Sequence, residues 1–587
     1  QQRGLIDDAS ATRLCEAYLF LRQLENRLQM FADMQTHSAP QDANARARIA
    51  AALDYPDWES LQRQLDKQRN AVSEEFANLL IPHAGGDADA AADVDTDLWQ
   101  AAVDGELSAA RMAAQGFEPG EAACTALAAV PRAASVRVMS ARSAQRLHHL
   151  MPRLLADARA SAAPTPCLQR LCRLVQAVAR RSAYLALLEE QPAARQRLAE
   201  LFAGSAYLAE RVIVQPLLLD DVLDPRIDQL PLRRSAIAAV IADELANLDQ
   251  PHAEDELERL NEARSSLAFR LGLAFRDGRA DAPATARRLA ALAEAVVAAV
   301  LTLARRDMAD KHGRLGEGDG FAVLGYGSLG GAELGFASDL DLVFIYDAAL
   351  ATHMSDGPRP LEGVRWFQRL AQRIVHWLGA LHHGGRLYEV DTRLRPDGSK
   401  GLLVSSVQAF AAYQRERAWS WEHQALLRAR GVAGDATLLA QFDALRSEII
   451  GRPRALAQVQ HDVADMRVRW RRERDRSDAT HIDLKQGRGA LLDLEFFLQG
   501  LVLAHAAQFP ALLAGHNAPA WLSACRDAGL LSANAVMQLG AAHAQLMDMA
   551  LTCTLDARPR VVPRKPAIEA MCVRISAAAH AEGFDFG

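Results

Sequence analysis

Apolar residues recur at steps of three and four positions along most of this 587-residue chain. Such spacing places the apolar side chains on one face of an α-helix, which then packs against the rest of the protein. Three clear stripes are Leu14, Tyr18, Leu21, Leu24 and Leu28; Leu289, Leu292, Val296, Val300 and Leu303; and Val364, Phe367, Leu370, Ile374 and Trp377. The pattern predicts that helices make up most of the fold.

Short runs of branched and aromatic residues interrupt the helical period between residues 321 and 406. These runs are Phe321–Gly327, Ser338–Tyr346, Arg386–Asp391 and Gly401–Ser406. Branched and aromatic residues favour strands. The stripe that begins at Val364 is expected to form a helix covering one face of the resulting sheet. The sequence therefore predicts an α+β fold that is predominantly helical, with a small mixed-sheet core flanked by helical bundles.

Three aspartates accompany the predicted strands. Asp339 and Asp341 are two positions apart, so both side chains project from the same face of one strand, and Asp391 ends another run. Carboxylates this close repel each other unless a cation neutralises them, and hard oxygen ligands suit Mg²⁺. A solvated Asp-x-Asp at a strand end is the better interpretation of an isolated pair, but further features accompany this one.

A glycine-containing turn and a group of basic residues complete the pattern. The backbone N–H groups around Gly327 and the hydroxyl of Ser328 suit the oxygens of a phosphate. A basic group, Arg393, Arg395 and Lys400, follows Asp391 and supplies cations where a polyphosphate would lie. Together these features predict a nucleotide site that contains divalent cations.

This Gly-Ser, Asp-x-Asp and third-aspartate pattern resembles the nucleotidyltransferase superfamily. Three longer runs, Gly325–Phe344, Tyr388–Pro396 and Trp419–Arg430, are similar to the glutamine synthetase adenylyltransferase family, whose members attach AMP to a tyrosine of glutamine synthetase. Members of that family carry an N-terminal adenylyl-removing module and a C-terminal adenylylating module. The single signature in this chain resembles the adenylylating one, because Gly335 follows Glu-Leu and Trp421–Gln424 replaces a Trp-Glu-Arg-Tyr-type run.

The resemblance implies a function and a role for each candidate residue. The expected reaction is ATP-dependent adenylylation of a glutamine synthetase tyrosine, which releases pyrophosphate and down-regulates nitrogen assimilation. Two Mg²⁺ ions and ATP as substrate are implied, with glutamine synthetase, a PII-type signal protein and glutamine as partners. In this assignment Asp339, Asp341 and Asp391 are catalytic and bind the metals, Gly327 and Ser328 seat the β- and γ-phosphates, and Arg393, Arg395 and Lys400 neutralise the leaving pyrophosphate.

We expect five parts along the chain. These are a helical remnant of the adenylyl-removing module (1–80), an acidic linker with regulatory helices (81–139), a helical subdomain (140–312), the nucleotidyltransferase core (313–450) and a C-terminal helical bundle (451–587). Because the chain begins with Gln1 and the family places a whole module upstream, we expect it to be the C-terminal piece of a longer polypeptide.

Charge and cysteine usage exclude some classes of protein. A net charge of −7 and a pI near 6.2 disfavour a general nucleic-acid binder, which usually carries a basic surface. A basic run from Arg467 to Arg476 is interpreted as a solvated helix face, and the acidic stretch Gly85–Asp97 as a flexible linker. Seven scattered cysteines without a Cys-x-x-Cys, and no signal peptide or membrane span, predict a cytoplasmic protein with reduced thiols.

Three alternatives remain open. An adenylyl-removing or uridylyl-transferring relative would use the same site on a nitrogen-regulatory protein. A nucleic-acid-directed nucleotidyltransferase is disfavoured by the acidic balance, and a non-catalytic helical regulator by the intact trio of aspartates. The run Asp483–Phe496 also resembles a family segment, but a packing or hinge role for Asp493 and Glu495 is at least as compatible with the sequence as a catalytic one.

Overall fold

The computed structural model describes residues 42–53, 55–68, 87–223, 230–231, 233–248, 252–316, 320–382 and 384–587, together with Ala17, Phe20, Gln23 and Leu24. The chain divides into two units, Gln1–Asp95 and Thr96–Gly587. Helices predominate and the strands form two small sheets, so the predicted α+β fold class is confirmed. Among the helices that the structure describes, none combines the length and the apolar character that a membrane crossing requires.

The first unit contains a small apolar cluster of Leu24, Ile49, Ala50 and Leu61. Its described helices are Ala43–Ala51 and residues 58–68. Leu24 belongs to the first stripe predicted from the sequence. The other members of that stripe lie outside the described residues.

The acidic stretch differs from the prediction. Instead of a flexible linker, the chain is helical from Asp87, in a helix that spans Asp87–Asp104. Alanine has the highest helix propensity of all residues, and aspartates near a helix N-terminus interact favourably with the helix dipole. The alternating Asp and Ala residues therefore favour a helix, and the linker prediction is wrong from Asp87 onward.

In the described part of the second unit, all regular secondary structure before the main sheet is helical. The helices are Ala109–Ala114, Gly120–Arg132, Ala134–Arg137, Ala141–Ala160, Pro164–Val178, Ser182–Glu190, Pro192–Gly204, Ala206–Val214, Leu218–Leu223, Arg234–Ala246, Ala253–Arg276 and Ala282–His312. Leu289, Leu292, Val296, Val300 and Leu303 are buried in the last of these, which confirms the second predicted stripe. The carboxylate of Asp281 accepts a hydrogen bond from the N–H of Ala284 and caps that helix.

The main sheet contains five short strands. They are β1 (Phe321–Gly325), β2 (Leu340–Tyr346), β3 (Val390–Asp391), β4 (Val404–Ser406) and β5 (Arg430–Gly434). The order is β3-β2-β1-β5, and β4 also pairs with β2. β1 is antiparallel to β2 and β5, whereas β3 and β4 are parallel to β2, so the sheet is mixed as predicted. The predicted strand Arg386–Asp391 is reduced to its last two residues.

Helix Gly363–Gly379 covers one face of the sheet, as the third stripe predicts. The ring of Phe367 stacks on Phe321 of β1 and on Tyr346 of β2, with centroids 5.9 and 4.9 Å away. Off-centre aromatic stacking of this kind adds to the stabilisation from buried area. The helix therefore fixes the two central strands that lead into the glycine turn and the aspartates.

The two faces of β2 belong to different parts of the core. Leu342 and Phe344 lie in the apolar cluster that contains helix Gly363–Gly379, whereas Val343 lies in a separate cluster on the opposite face. Side chains alternate along a strand, so Asp341 shares the face of Val343. The sheet thus separates an apolar side from the side that bears the aspartates.

Helices return after β4. They are Val407–Glu416, Ser420–Arg428, Ala436–Ile450, Leu456–Arg474, Leu491–His505, Ala518–Asp527, Ala533–Leu555 and Pro566–Ala581. Two more strands, β6 (His481–Asp483) and β7 (Val561–Pro563), form an antiparallel pair. Single-turn elements occupy Gly327–Gly330, Ala348–Leu350, Gly398–Lys400 and Pro510–Ala514.

The basic run in helix Leu456–Arg474 is not uniformly solvated. Arg467 is 0% exposed, and its Nε donates to Asp493 Oδ1 at 2.7 Å. Arg471 donates to both oxygens of the same carboxylate at 2.7 Å. The solvated-face prediction is therefore wrong for these two arginines, because Asp493 supplies the buried charge with a partner. Asp493 in turn has a packing role that joins two helices.

Candidate active site

Asp341 and Asp391 lie opposite each other in the parallel pairing of β2 with β3. With Asp339 they line one cavity of 520 Å³. Burial, together with the negative charges of Asp339 and Asp391, raises the pKa of Asp341 to about 6. The structure therefore brings the three predicted aspartates together, and their mutual repulsion makes the site attractive to cations.

The glycine turn lies directly against Asp341. Gly327 adopts a φ of +51°, and a Cβ added to it would overlap Oδ2 of Asp341. The N–H of Tyr326 donates to the backbone oxygen of Asp341 at 2.9 Å. Only glycine combines this left-handed conformation with so close an approach. The predicted turn is in fact a one-turn helix, Gly327–Gly330, with Ser328 also on the cavity wall.

Arg428 holds the glycine turn in place through a hydrogen bond, and this role was not predicted from the sequence. It is nearly buried, and its Nε donates to the backbone oxygen of Gly327 at 2.9 Å. Its other nitrogens donate to Glu495 at 2.7 Å and to Glu333 at 2.6 Å. Burial opposes the charge on Arg428, but these two carboxylates outweigh it and raise the pKa of the guanidinium. Glu495 therefore supports the site through Arg428.

The three basic residues that follow Asp391 have different positions. Arg393 lines the cavity and donates from its Nε to Oδ2 of Asp391 at 2.8 Å, and these hydrogen bonds lower the pKa of Asp391. Arg395 instead donates to the backbone oxygens of Thr392 and Gly401, at 2.6 and 3.3 Å. Lys400 is exposed. Neither Arg395 nor Lys400 lines the cavity that contains the aspartates.

Other cations, which the sequence analysis did not assign to the site, do line this cavity, and one of them belongs to the basic run that was predicted to be a solvated helix face. They are Lys485, Arg560 and Arg474, and all three also line an adjoining cavity of 620 Å³. The side chain of Lys485 is accessible through the cavity, but the surrounding protein reduces its hydration and lowers its pKa, while Glu495 opposes this effect. Since these residues lie at least 80 positions after Asp391, no local pattern connects them with it.

A large part of the remaining wall of the cavity is apolar. Its members are Trp421, Ala425, Met466, Trp470, Leu491, Leu492, Phe496, Met547, Ala550 and Leu551. The rings of Trp470 and Phe496 meet edge to face with centroids 5.6 Å apart. The cavity thus joins acidic, basic and apolar surfaces, and its volume lies in the range of small-molecule sites. This combination suits a nucleotide with a planar base and a charged phosphate chain.

The donor atoms of the three carboxylates are of the type that binds a divalent cation. Asp339, Asp341 and Asp391 supply only oxygen donors, which Mg²⁺ prefers, and burial followed by the charges of the other two carboxylates raises the pKa of Asp341. Their arrangement is not that of a finished metal site. In the part of the chain that the structure describes, no three His, Cys, Asp or Glu side chains are grouped closely enough to hold a metal ion. The guanidinium of Arg393 instead forms an ion pair with the carboxylate of Asp391.

Comparison with known proteins identifies relatives of this chain. Residues 195–445 match the family model described as glutamate-ammonia ligase adenylyltransferase, and residues 1–80 match one described as GlnD PII-uridylyltransferase. Bifunctional glutamine synthetase adenylyltransferase/adenylyl-removing enzymes from Stenotrophomonas maltophilia and Xanthomonas axonopodis pv. citri are each 48% identical over 99% of this chain and 61% of their own length. The enzyme of the same name from Nitrosococcus oceani is 40% identical over 90% of this chain and 56% of its own length.

The chain spans about three-fifths of the length of the first two relatives, and the match covers nearly all of this chain. The glycine turn and the three aspartates lie inside the segment that matches the adenylyltransferase model. Over nearly its whole length, the chain is therefore similar to glutamine synthetase adenylyltransferase/adenylyl-removing enzymes.

Proposed function

We propose that this chain transfers AMP from ATP to a tyrosine hydroxyl of glutamine synthetase and so down-regulates nitrogen assimilation. The observation that carries the proposal is the in-register pairing of Asp341 with Asp391, beside the glycine turn and within one nucleotide-sized cavity. The names of the relatives support the choice of glutamine synthetase as the protein substrate. The cytoplasm is the proposed compartment.

The reaction is an in-line displacement at the α-phosphorus of ATP. The tyrosine oxygen forms a bond to this phosphorus while the bond to the bridging oxygen of the β-phosphate breaks, and pyrophosphate leaves with that oxygen. Asp391 accepts the tyrosine proton. It is held by Arg393 in the structure, so Arg393 must first move away, and its departure makes the carboxylate more basic.

Asp339, Asp341 and Asp391 are the residues that would hold Mg²⁺. Magnesium, when bound, would supply positive charge to the phosphate oxygens of the substrate. The three carboxylates have the correct donor type for this ion, and a cation among them would relieve the repulsion that adds to the effect of burial on the pKa of Asp341.

Separate surfaces of the cavity accept separate parts of ATP. Gly327 and Ser328 seat the β- and γ-phosphates, because the N–H groups at the start of a helical turn have no partner within the helix. Arg393, Lys485 and Arg560 neutralise charge on the leaving pyrophosphate. Lys485 and Arg560 are better placed for this role than Arg395 and Lys400, since they line the cavity. The apolar wall around Trp470 receives the adenine.

Incubation of the chain with ATP, Mg²⁺ and unmodified glutamine synthetase tests the proposal. Mass spectrometry should detect a glutamine synthetase subunit heavier by one adenylyl group, on a tyrosine-containing peptide. Asp341→Asn should abolish this gain, whereas Asp310→Asn, which changes an exposed aspartate outside the cavity, should not. Full transfer by the Asp341→Asn variant would contradict the assignment of the site.

The names of the relatives also include adenylyl removal, which is the second candidate function. In that case the chain would act on adenylylated glutamine synthetase and leave the unmodified protein unchanged. Supplying both forms in parallel reactions separates the two activities. A mass loss from the modified form, without a gain on the unmodified one, would favour removal.

We also propose that glutamine and a PII-type signal protein regulate the transfer. The match of residues 1–80 to a PII-uridylyltransferase model supports a connection with this signalling system. Transfer rates measured across a titration with each effector test the idea. A rate that is independent of both effectors would overturn it for this chain.

A further inference from the structure

A different cavity, of 550 Å³, lies beside the same glycine turn. Gly330, Gly331 and Ala332 line it, while Gly327 and Ser328 line the candidate active site. The two cavities therefore share one short segment as a common wall. The proposed transfer reaction does not use the second cavity, and the sequence patterns did not indicate it.

The second cavity, called the arginine cavity below, carries an excess of positive charge. Four arginines line it, and Glu294 is its one acidic lining residue among those the structure describes. The four are Arg234, Arg287, Arg288 and Arg430. Glu294 is nearly buried and pairs with Arg234 at 2.5 Å and with Arg430. This leaves Arg287 and Arg288 without an acidic partner in the described part of the chain.

The lining of the arginine cavity also contains an unpaired polar atom. Nδ1 of His516, which lines the arginine cavity, is buried and has no hydrogen-bond partner within the described residues. Burial, and next the positive charge of Arg446 and Arg430, lower the pKa of His516 to about 4, so the ring is neutral near pH 7. Most buried polar groups in folded proteins have a partner. A bound ligand would supply one here.

Arg430 connects the arginine cavity to the glycine turn. Its Nε donates to the backbone oxygen of Gly330 at 2.8 Å, and its Nη2 donates to that of Leu329 at 3.0 Å. Asn517, also in the lining, donates to the backbone oxygen of Gly331 at 2.9 Å. A ligand that draws Arg430 or Asn517 toward itself therefore changes the hydrogen bonds that hold the turn.

We propose that the arginine cavity binds a small oxyanion, a molecule that carries carboxylate or phosphate groups, and that its binding changes the affinity of the neighbouring site for ATP. Guanidinium groups form paired, charge-assisted hydrogen bonds with both kinds of oxyanion. Arg287 and Arg288 supply the unneutralised charge for the ligand. The turn from Gly327 to Ala332 transmits the effect.

Calorimetric titration with inorganic phosphate and, separately, with succinate tests the site itself. Saturable binding of either probe is expected, and the Arg287→Ala/Arg288→Ala double variant should weaken it about tenfold or more, as expected for the loss of charge-assisted hydrogen bonds. Binding of phosphate alone assigns the cavity to phosphorylated ligands, and binding of succinate alone assigns it to carboxylates. Either result supports the proposal.

Two control variants locate the binding event. Arg180→Ala/Arg197→Ala removes the same charge from exposed positions that line neither cavity, and it should bind the probes as the unaltered chain does. Lys485→Ala removes a cation from the candidate active site and should also leave this binding intact. Absence of saturable binding for both probes, or unchanged binding in the Arg287→Ala/Arg288→Ala variant, would overturn the site.

The coupling is measured by the Kd of ATP with and without a saturating probe. At a probe concentration that saturates only the unaltered chain, a severalfold change is expected there and a much smaller one in the double variant, because coupling requires the probe to be bound. An unchanged Kd with the probe bound would overturn the coupling. This second measurement rests on the proposed nucleotide site, whereas the titration with the probe alone does not, so the two failures are distinguishable.

Discussion

Asp341 and Asp391 occupy paired positions on two parallel strands, which makes their separation a property of the sheet rather than of flexible loops. Neighbouring strands lie about 4.8 Å apart, so the two side chains start from adjacent backbone positions. The negative charge of Asp391 therefore adds to the burial that raises the pKa of Asp341. The predictions below test this relationship and the contacts that surround it.

The first prediction concerns stability and pH. Since the pKa of Asp341 is raised from 3.8 to about 6, the folded state favours the protonated form, and this stabilisation is present below pH 4 and lost as the pH rises through 6. Asp341→Asn removes the charge. Its free energy of unfolding should match that of the unaltered chain at pH 4 and exceed it by about 2 kcal/mol at pH 7.5. Urea unfolding at both pH values measures the difference, and an equal effect at both would contradict the assignment.

The second prediction concerns Arg393, which competes with cations for Asp391. Arg393→Ala should raise the pKa of Asp391 toward its ordinary value and increase the affinity for Mn²⁺, used as a probe for Mg²⁺, in the absence of nucleotide. Electron paramagnetic resonance of free Mn²⁺ measures this affinity. Arg386→Ala, which removes a comparable surface arginine paired with Glu389, is the control and should change nothing. Weaker Mn²⁺ binding in Arg393→Ala would refute competition.

The third prediction concerns the buried contacts of Arg428. Arg428→Ala leaves Glu333 and Glu495 without their main partner, and removing one side of a buried ion pair costs about 3–5 kcal/mol. Urea unfolding should show a loss of this size. Arg415→Ala breaks an exposed, solvent-screened pair with Glu448 and should cost far less than Arg428→Ala. Similar losses in the two variants would mean that Arg428 does not hold the turn as described.

The fourth prediction concerns the approach of the glycine turn to Asp341. Gly327→Ala introduces a Cβ that overlaps Oδ2 of Asp341, so the carboxylate or the turn must shift. A displacement of about 1 Å in a catalytic group lowers rates by about 100-fold, and we expect at least this loss of AMP transfer. Gly379→Ala, where a Cβ meets nothing within 4 Å, should retain full activity. Circular dichroism should show that both variants are folded, and normal transfer by Gly327→Ala would count against the site.

The fifth prediction distinguishes the cations on the cavity wall from those outside it. Lys485→Ala should raise the Kd of ATP about tenfold and leave that of AMP nearly unchanged, because the lost charge faces the β- and γ-phosphates. Lys400→Ala should affect neither ligand, since Lys400 does not line the cavity. Fluorescence of the tryptophans beside the cavity reports both affinities. The reverse result would restore Lys400 as the phosphate residue.

Local patterns predicted the parts of the site that local geometry controls. Asp339 and Asp341 line the same cavity as expected from their spacing, although β2 begins at Leu340, one residue after Asp339. The helix from Gly363 covers the sheet because its apolar stripe repeats at helical steps. The helix from Asp87 was missed, although its alanines were visible. The charge of the segment suggested a linker, whereas propensity and the helix dipole favoured a helix.

Contacts between distant segments were beyond the reach of the sequence. Arg428 lies 95 positions from Glu333 and 67 from Glu495, and no periodic pattern connects them. Arg467 belongs to a run of charged residues that indicates a solvated position. Arg467 is nevertheless buried, because the folded chain places Asp493 against it. The placement of Lys485 on the cavity wall depends in the same way on packing that forms only in the folded chain.

Arg428 ends a helix and Arg430 begins β5, with the buried Ala429 between them. The guanidinium of Arg428 donates a hydrogen bond to Gly327, and that of Arg430 donates one to Gly330. Both ends of the glycine turn are therefore hydrogen-bonded to a segment of only three residues. Inserting or deleting a residue at Ala429 would move one of the two arginines too far from the turn to form its hydrogen bond. This junction should therefore accept conservative replacements of Ala429 far more readily than any change in its length.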